Sequence, residues 1–413
     1  MCSNIEVFKK LKSSARNYAA VIKSVCSNSL RFRSQNQNPL KMSTIKMPTP
    51  SELKKLFGQS SGKNREIPHD VMACTRELCA RYLGGVWNTI SAEQLRMQPI
   101  IGGISNLLFL VELPENVLPE GEEPICSLLR IHCSNDLDRL LSEAVVFTML
   151  SERLLGPRLF AVFPSGRFEQ YIPSRPLFCD ELQYPGQKFE LHMGKVFARI
   201  HTLNVPIAKK PVVLEVADGW LEKLGTKMRH KMRLKMVQAD LSKEGNLLLH
   251  NRYTVNENGD FDINEDEDPI SPIDFEYASY NYRGFEFGNY ICEYMLDYSN
   301  DKPPFYWVKR EQTPPDEQLH RLFNSYLDEI DKQKRNGDNS YPIENLSLNR
   351  EAEIQKLFIE ARRFPAVSHL FWSIWSFFLA DGSLPISFDY ISYGLDRIAL
   401  YYEYKPRLLE YLN

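Results

Sequence analysis

The chain is 413 residues long, too long for one small module and the right size for two packed lobes. Hydrophobic residues make up 43% and charged residues 25%, which allows a large buried core and excludes overall disorder. A net charge of −3 argues against a dedicated nucleic-acid binder, because neutralising phosphates needs a clear cationic excess. The charge is uneven. Residues 1–50 hold nine Lys/Arg and one acid, Glu6, which leaves 41 basic against 52 acidic residues and a charge of −11 on the rest.

Residues 1–66 lack sustained apolar periodicity and are expected to form a leader. Its first 50 residues are basic, serine-rich and acid-poor, as in a mitochondrial transit peptide. A solvated tail is the plainer expectation, and Met42 and Met47 offer downstream starts that omit most of it. Eight cysteines without a C-x-x-C pair read as reduced thiols of an intracellular protein, and the expected location is cytoplasmic. The uncharged stretch from Phe364 to Ala380 falls short of the roughly 20 apolar residues that span a bilayer. It reads as a buried helix, and no transmembrane segment is expected.

Residues 69–98 read as helical, with Val71, Cys74, Leu78, Tyr82 and Leu83 at three- and four-residue steps. Ile100 to Leu113 is β-rich around Gly102-Gly103, and Ile125 to His132 is a second strand. Leu137 to Leu154 reads as helix stopped by Gly156-Pro157, and strands follow at Leu159–Phe163 and Phe168–Ile172. This order, followed mostly by helix, predicts a small α+β lobe and a larger helical one.

Two apparent ligand loops fail. Gly58 to Asn64 has three residues between its glycines where a phosphate loop needs four, and Asn64 stands where Ser/Thr would meet magnesium. The run from Asp260 imitates a calcium loop but has Glu265 where glycine belongs and Ser271 where a bidentate carboxylate belongs.

Three segments carry chemistry. Gly102-Gly103 in a strand–turn–strand can bring backbone N–H groups to phosphate, with Arg130 on the next strand as neutralising cation. Taken alone, a glycine pair more often makes a hairpin. Asp240, Asn246 and Asp274 supply one base and two oxygen ligands, the minimal set for phosphoryl transfer. The third segment is aromatic: Tyr277, Tyr280, Tyr282, Tyr298, Trp372, Trp375, Phe388, Tyr390 and Tyr393. By spacing alone, Trp372 and Trp375 read as helix core.

Together these segments resemble the choline/ethanolamine kinase family, over roughly residues 70–410. The most specific stretch is Ile273-Asp-Phe-Glu-Tyr-Ala-Ser-Tyr-Asn-Tyr-Arg-Gly-Phe-Glu-Phe-Gly-Asn289. Leu155 to Leu159, Glu169 to Arg175 and Ser368 to Trp375 support it. The resemblance implies a two-lobed protein-kinase-like fold, with a nucleotide-binding N-lobe at 67–175 and a helical C-lobe at 176–413. It implies ATP and Mg2+ as cofactors, choline as substrate with ethanolamine as the alternative, and a homodimer. Gly102, Gly103, Ile104, Ser105, Asn106, Leu107 and Leu108 would be the phosphate loop. Arg130 would stand where protein kinases keep a lysine and pair with Glu143. Gln170, Tyr171, Ile172, Pro173, Ser174 and Arg175 would be the adenine hinge. Asp240 would be the base, and Asn246 and Asp274 the metal ligands. Tyr277, Tyr298, Trp372, Trp375 and Tyr393 would form the choline pocket, with Glu293 and Glu276 adding negative charge.

The catalytic loop departs from this pattern. The family reads His-x-Asp with Asn five residues on; here Gln238 replaces the histidine, and six residues separate Asp240 from Asn246. The interval from His201 to Asp240 is also short and contains the basic run Lys227–Met236, which suggests a deletion or an altered splice join. These departures motivate an alternative, a catalytically impaired choline-binding pseudokinase or dimer partner. An aminoglycoside-type kinase on the same fold fits the aromatic set less well.

Overall fold

The computed structural model describes residues 55, 67–100, 106–132, 137–163, 165–183, 188–209, 211, 213–227, 246–254, 267–275, 277–300, 302–336, 346, 349–380 and 388–410. The chain divides into two compact units, 1–172 and 173–413.

The first unit opens with helix α1 (His69–Tyr82), followed by a 3-10 turn at Gly85–Asn88 and strand β1 (Arg96–Pro99). The single helix expected over 69–98 is therefore three elements. Gly84 and Gly85 have φ of 71° and 53°, a left-handed pair that ends the helix where side-chain periodicity alone carries on. Strands β2 (Asn106–Glu112) and β3 (Cys126–His132) follow, then α2 (Leu137–Glu152), β4 (Leu159–Phe163) and β5 (Gly166–Glu169). They form one antiparallel sheet in the order β1-β2-β3-β5-β4. Strand β5 ends earlier than Phe168–Ile172 implied: it closes at Glu169, and the Gln170 N–H reaches back to the Arg158 carbonyl at 2.7 Å. The core of this unit joins Val71, Leu78 and Trp87 to Phe109, Leu129, Ile131, Phe163 and Phe168 of the sheet.

The second unit is mainly helical. Strand β6 (Ser174–Pro176) pairs with β7 (Leu247–His250), which pairs with β8 (Ile270–Pro272). Its helices are α3 (Lys188–His201), α4 (Val213–Lys227), α5 (Arg283–Glu293), α6 (Asp316–Arg335), α7 (Arg350–Arg363), α8 (Pro365–Leu379) and α9 (Tyr390–Glu410). Strands β9 (Leu296–Asp297) and β10 (Trp307–Val308) form a small ladder after α5. Local chemistry sets several boundaries. Asn349 caps α7 by accepting from the Ala352 N–H, and Pro365 starts α8 where its missing N–H costs no hydrogen bond. Helix α8 packs on α4, α5 and α9, and α3 packs on α6. As expected for the uncharged stretch, α8 is buried along most of its length. No helix among the described residues is long and apolar enough to cross a membrane.

Candidate active site

In the first unit Gly102, Gly103, Ile104 and Ser105 lie outside the described residues. Asn106 opens β2, is buried, and its amide oxygen lies 3.4 Å from His132 Nδ1. Leu107 and Leu108 follow on β2, and Leu108 stands opposite Arg130 on β3. Arg130 is buried and donates through Nε and Nη2 to one oxygen of Glu169, at 3.3 and 3.1 Å. Glu143 of α2 acts on it electrostatically, but its hydrogen bond goes elsewhere. Its carboxylate accepts instead from Arg167 Nη1 at 2.6 Å, and Arg167 Nε reaches the second Glu169 oxygen at 2.5 Å. Arg130 and Glu143, expected as a pair, are members of one chain of four buried charges, in which Arg167, opposite Arg130 on β5, takes the hydrogen bond to the helix carboxylate.

Burial alone would raise the Glu143 carboxyl, but Arg167 and His132 outweigh it and hold its pKa at about 2. Burial, reinforced by Arg167, pushes His132 down to about 4 and keeps it neutral. The strands approach so closely here that a Cβ on Gly166 would stand 2.0 Å from the Arg130 carbonyl oxygen, so only glycine fits.

The hinge residues divide between the units. Gln170 is exposed and its side-chain oxygen accepts from the Arg158 N–H at 3.1 Å; Tyr171 and Ile172 are half-buried. In the second unit the Pro173 carbonyl accepts from the Asn251 N–H, and Ser174 pairs with His250. Arg175 makes two hydrogen bonds to Glu181, at 2.7 and 2.6 Å.

Asp240 and Glu276 lie outside the described residues. Asn246 immediately precedes β7 and Asp274 closely follows β8. The Ile273 N–H donates to the Asn246 carbonyl at 2.9 Å, so the hairpin brings the two expected metal ligands to the same end. Asp274 has φ of 62°, left-handed backbone that few non-glycine residues adopt and that concentrates at functional positions. Both side chains offer hard oxygen donors, the kind magnesium selects.

The aromatic residues converge. Trp372 and Trp375 of α8 meet edge-to-face at 5.2 Å, and Trp375 Nε1 donates to Tyr277 Oη at 2.9 Å. Tyr277 also stands edge-to-face with Trp372, 6.2 Å away. Tyr298 and Tyr393 share a hydroxyl–hydroxyl hydrogen bond of 2.8 Å, and Tyr298 also donates to Glu293 Oε2 at 3.2 Å. Trp375 and Tyr393 are bridged by Tyr390 and Phe388, with centroid steps of 5.8, 5.2 and 5.3 Å. Trp372 and Trp375 are also fully buried, so they serve as helix core as the spacing indicated.

Several neighbours escaped the sequence reading. Trp220 of α4 lies edge-on to Tyr277 at 5.8 Å, and Asn289 accepts from Trp372 Nε1 at 2.9 Å. Most telling is Arg397, wholly buried, 3.6 Å from Glu293 and 5.4 Å from the Tyr393 ring centroid. Burial opposes its charge, but Tyr393, Glu293 and Tyr298 outweigh it and hold its pKa above the usual arginine value. Its Nη1 lies 3.2 Å from His369 Nδ1, and burial and Arg397 push that imidazole far below the usual histidine range. The four-residue step from Tyr393 to Arg397 on one helix was the available signal.

A sheet unit with a buried arginine–glutamate chain, followed by a helical unit with an Asp at left-handed φ beside a hairpin, has the build of a protein-kinase-like fold. The choline kinase of Cryptosporidium parvum shares that fold, with a TM-score of 0.60 and 20% identity, covering 81% of this chain and 96% of its own. Within this class, the family model for choline/ethanolamine kinase matches residues 97–402. A Caenorhabditis elegans protein named choline kinase A2 is 35% identical over 80% of this chain and 85% of its own. A Homo sapiens protein named choline/ethanolamine kinase is 34% identical over 80% and 85%. The chain belongs to the choline/ethanolamine kinase family of transferases.

Proposed function

We propose that the protein transfers the γ-phosphoryl group of ATP to the hydroxyl of choline, with ethanolamine as a poorer acceptor. The observation that carries this reading is the aromatic set gathered from α8, α9 and the segments flanking α5, with Glu293 against Tyr298. A quaternary ammonium has no N–H to donate, so ring faces and nearby negative charge recognise it, each ring contributing about 0.5–2 kcal/mol. A primary ammonium would instead need several carboxylate or carbonyl acceptors.

In this reading Asp240 orients the acceptor hydroxyl and takes its proton. Asn246 and Asp274 would hold magnesium, which when bound offsets the charge that develops on the transferring phosphate. Arg130 faces the nucleotide phosphates, and Gln170 to Arg175 carry the adenine. The test is phosphocholine formation from choline and ATP by the purified chain, with Asp274→Ala beside it. Turnover that survives Asp274→Ala would overturn the metal assignment, and turnover with ethanolamine alone would overturn the substrate. A second reading, choline binding without turnover, rests on Gln238 and the six-residue step from Asp240 to Asn246. An extra residue adds up to about 3.5 Å of chain, and about 1 Å of misplacement can cost on the order of 100-fold in rate. Calorimetric choline binding with no phosphocholine would favour it.

A further inference from the structure

Glu169 is a residue whose side chain no step above uses. It is almost fully buried and ends β5, two residues after Arg167 on the same face of the strand. Arg130 and Arg167 stand opposite each other on neighbouring strands, and two buried guanidinium groups so placed repel. Glu169 separates them by giving one oxygen to each, while Glu143 takes the far side of Arg167. The Arg167 guanidinium also lies 4.1 Å from the Phe147 ring centroid, which fixes it against α2. The cluster therefore holds two positive and two negative charges, alternating Arg130, Glu169, Arg167 and Glu143.

From this geometry we infer that Glu169, which bonds Arg130 directly, is the positioning residue that aims it, and that Glu143, bonded to Arg167, has the weaker hold on Arg130. The inference rests on the nucleotide-binding reading of the first unit. Its consequence is an order of effects. The charge on the helix can be lost with Arg130 still gripped at two nitrogens, whereas loss of the strand charge removes both of those bonds and sets Arg130 against Arg167.

The test uses the full chain with Glu169→Gln, Glu143→Gln and Glu169→Asp, read by ADP affinity from calorimetry, by KM for ATP and for choline, and by thermal unfolding. Glu169→Gln is expected to weaken ADP binding and raise KM for ATP by about tenfold or more, on the scale of losing an outer-shell partner. KM for choline should stay unchanged, a split that general loosening of the fold would not produce. Glu143→Gln should change ADP affinity by less than about threefold even where it lowers the melting temperature as much. Glu169→Asp keeps the cluster neutral and should shift ADP affinity in the same direction by a smaller factor, which secures the test if the glutamine variant does not fold. Equal or larger loss of ADP affinity in Glu143→Gln, or unchanged affinity in a folded Glu169 variant, would overturn the assignment. A wild-type chain that binds ADP but phosphorylates no alcohol would sink the proposed function and leave this inference standing. A chain that binds no ADP would overturn both.

Discussion

The buried pair Glu293–Arg397 offers the sharpest test of the second unit. Both side chains are wholly enclosed, and the guanidinium lies 3.6 Å from the carboxylate. At that separation, an effective dielectric of about 20 gives an attraction of about 4–5 kcal/mol. Arg397→Met keeps a long apolar stem but leaves Glu293 buried without that cation, so a loss of about 3–5 kcal/mol is expected. Glu293→Gln should cost a similar amount, since Nε and Nη2 of Arg397 already lack a hydrogen-bond acceptor among the described residues. The double variant removes both charges together, so its cost should fall short of the sum by about 1.5–3 kcal/mol. Urea unfolding followed by tryptophan fluorescence reads this unit well, because Trp220, Trp307, Trp372 and Trp375 all belong to it. Losses that add within about 0.5 kcal/mol would refute the coupling. On the proposed function, choline should also raise the melting temperature of Arg397→Met more than that of the wild type, because its cation then meets an uncompensated carboxylate.

Three further outcomes follow from particular contacts. Gly166→Ala forces a Cβ against the Arg130 carbonyl and should cost about 1–3 kcal/mol in denaturant unfolding and, on the proposed function, weaken ATP use as Arg130 shifts. On the proposed function, Trp375→Leu removes one ring and should raise KM for choline about 2- to 30-fold while KM for ATP stays put; equal changes in both would argue against a cation-binding role. His132 and His201 are held at about 4 and about 3, largely by burial, against an unfolded value near ~6.5. Depressed folded values make their contribution complete above about pH 6.5 and progressively lost below it, at up to about 1.4 kcal/mol per pH unit for each histidine. Urea midpoints should therefore fall between about pH 6.5 and pH 4, and His132→Asn should flatten part of that slope.

Much of this arrangement was legible in the sequence because it is local. The β3 cation follows from its strand, and the uncharged Phe364–Ala380 stretch, with Pro365 near its start, gives a buried helix. The stretch around Asp274 was the most specific sign of the family, whose model matches residues 97–402. Contacts made between strands and between helices were not legible. Arg167 and Glu169 look like ordinary exposed charges beside a glycine, and only the sheet register reveals that they face Arg130 in the interior. Arg397 reads as a solvated charge on a helix rich in tyrosine, because its partner Glu293 lies on a distant helix. Strand β1 was absorbed into the preceding helix: four residues with alternating exposure and a terminal proline carry too little apolar signal to register. The Glu143–Arg167 bond was hidden for a related reason, since nothing local shows which of two arginines a helix carboxylate will meet.

The left-handed backbone at Asp274 limits what evolution can place there. Most side chains are strained at that φ by about 1–2 kcal/mol, whereas Gly, Asn and Asp adopt it readily. Of these only Asp carries a charge. The nearest replacement, Asn, keeps the shape and the fold while discarding the negative charge that a divalent metal would meet. Stability therefore exerts little selection against losing that charge, and on the proposed function a single Asp274→Asn step would give a folded chain that binds without turnover. On the proposed function, only selection on turnover itself would protect the aspartate.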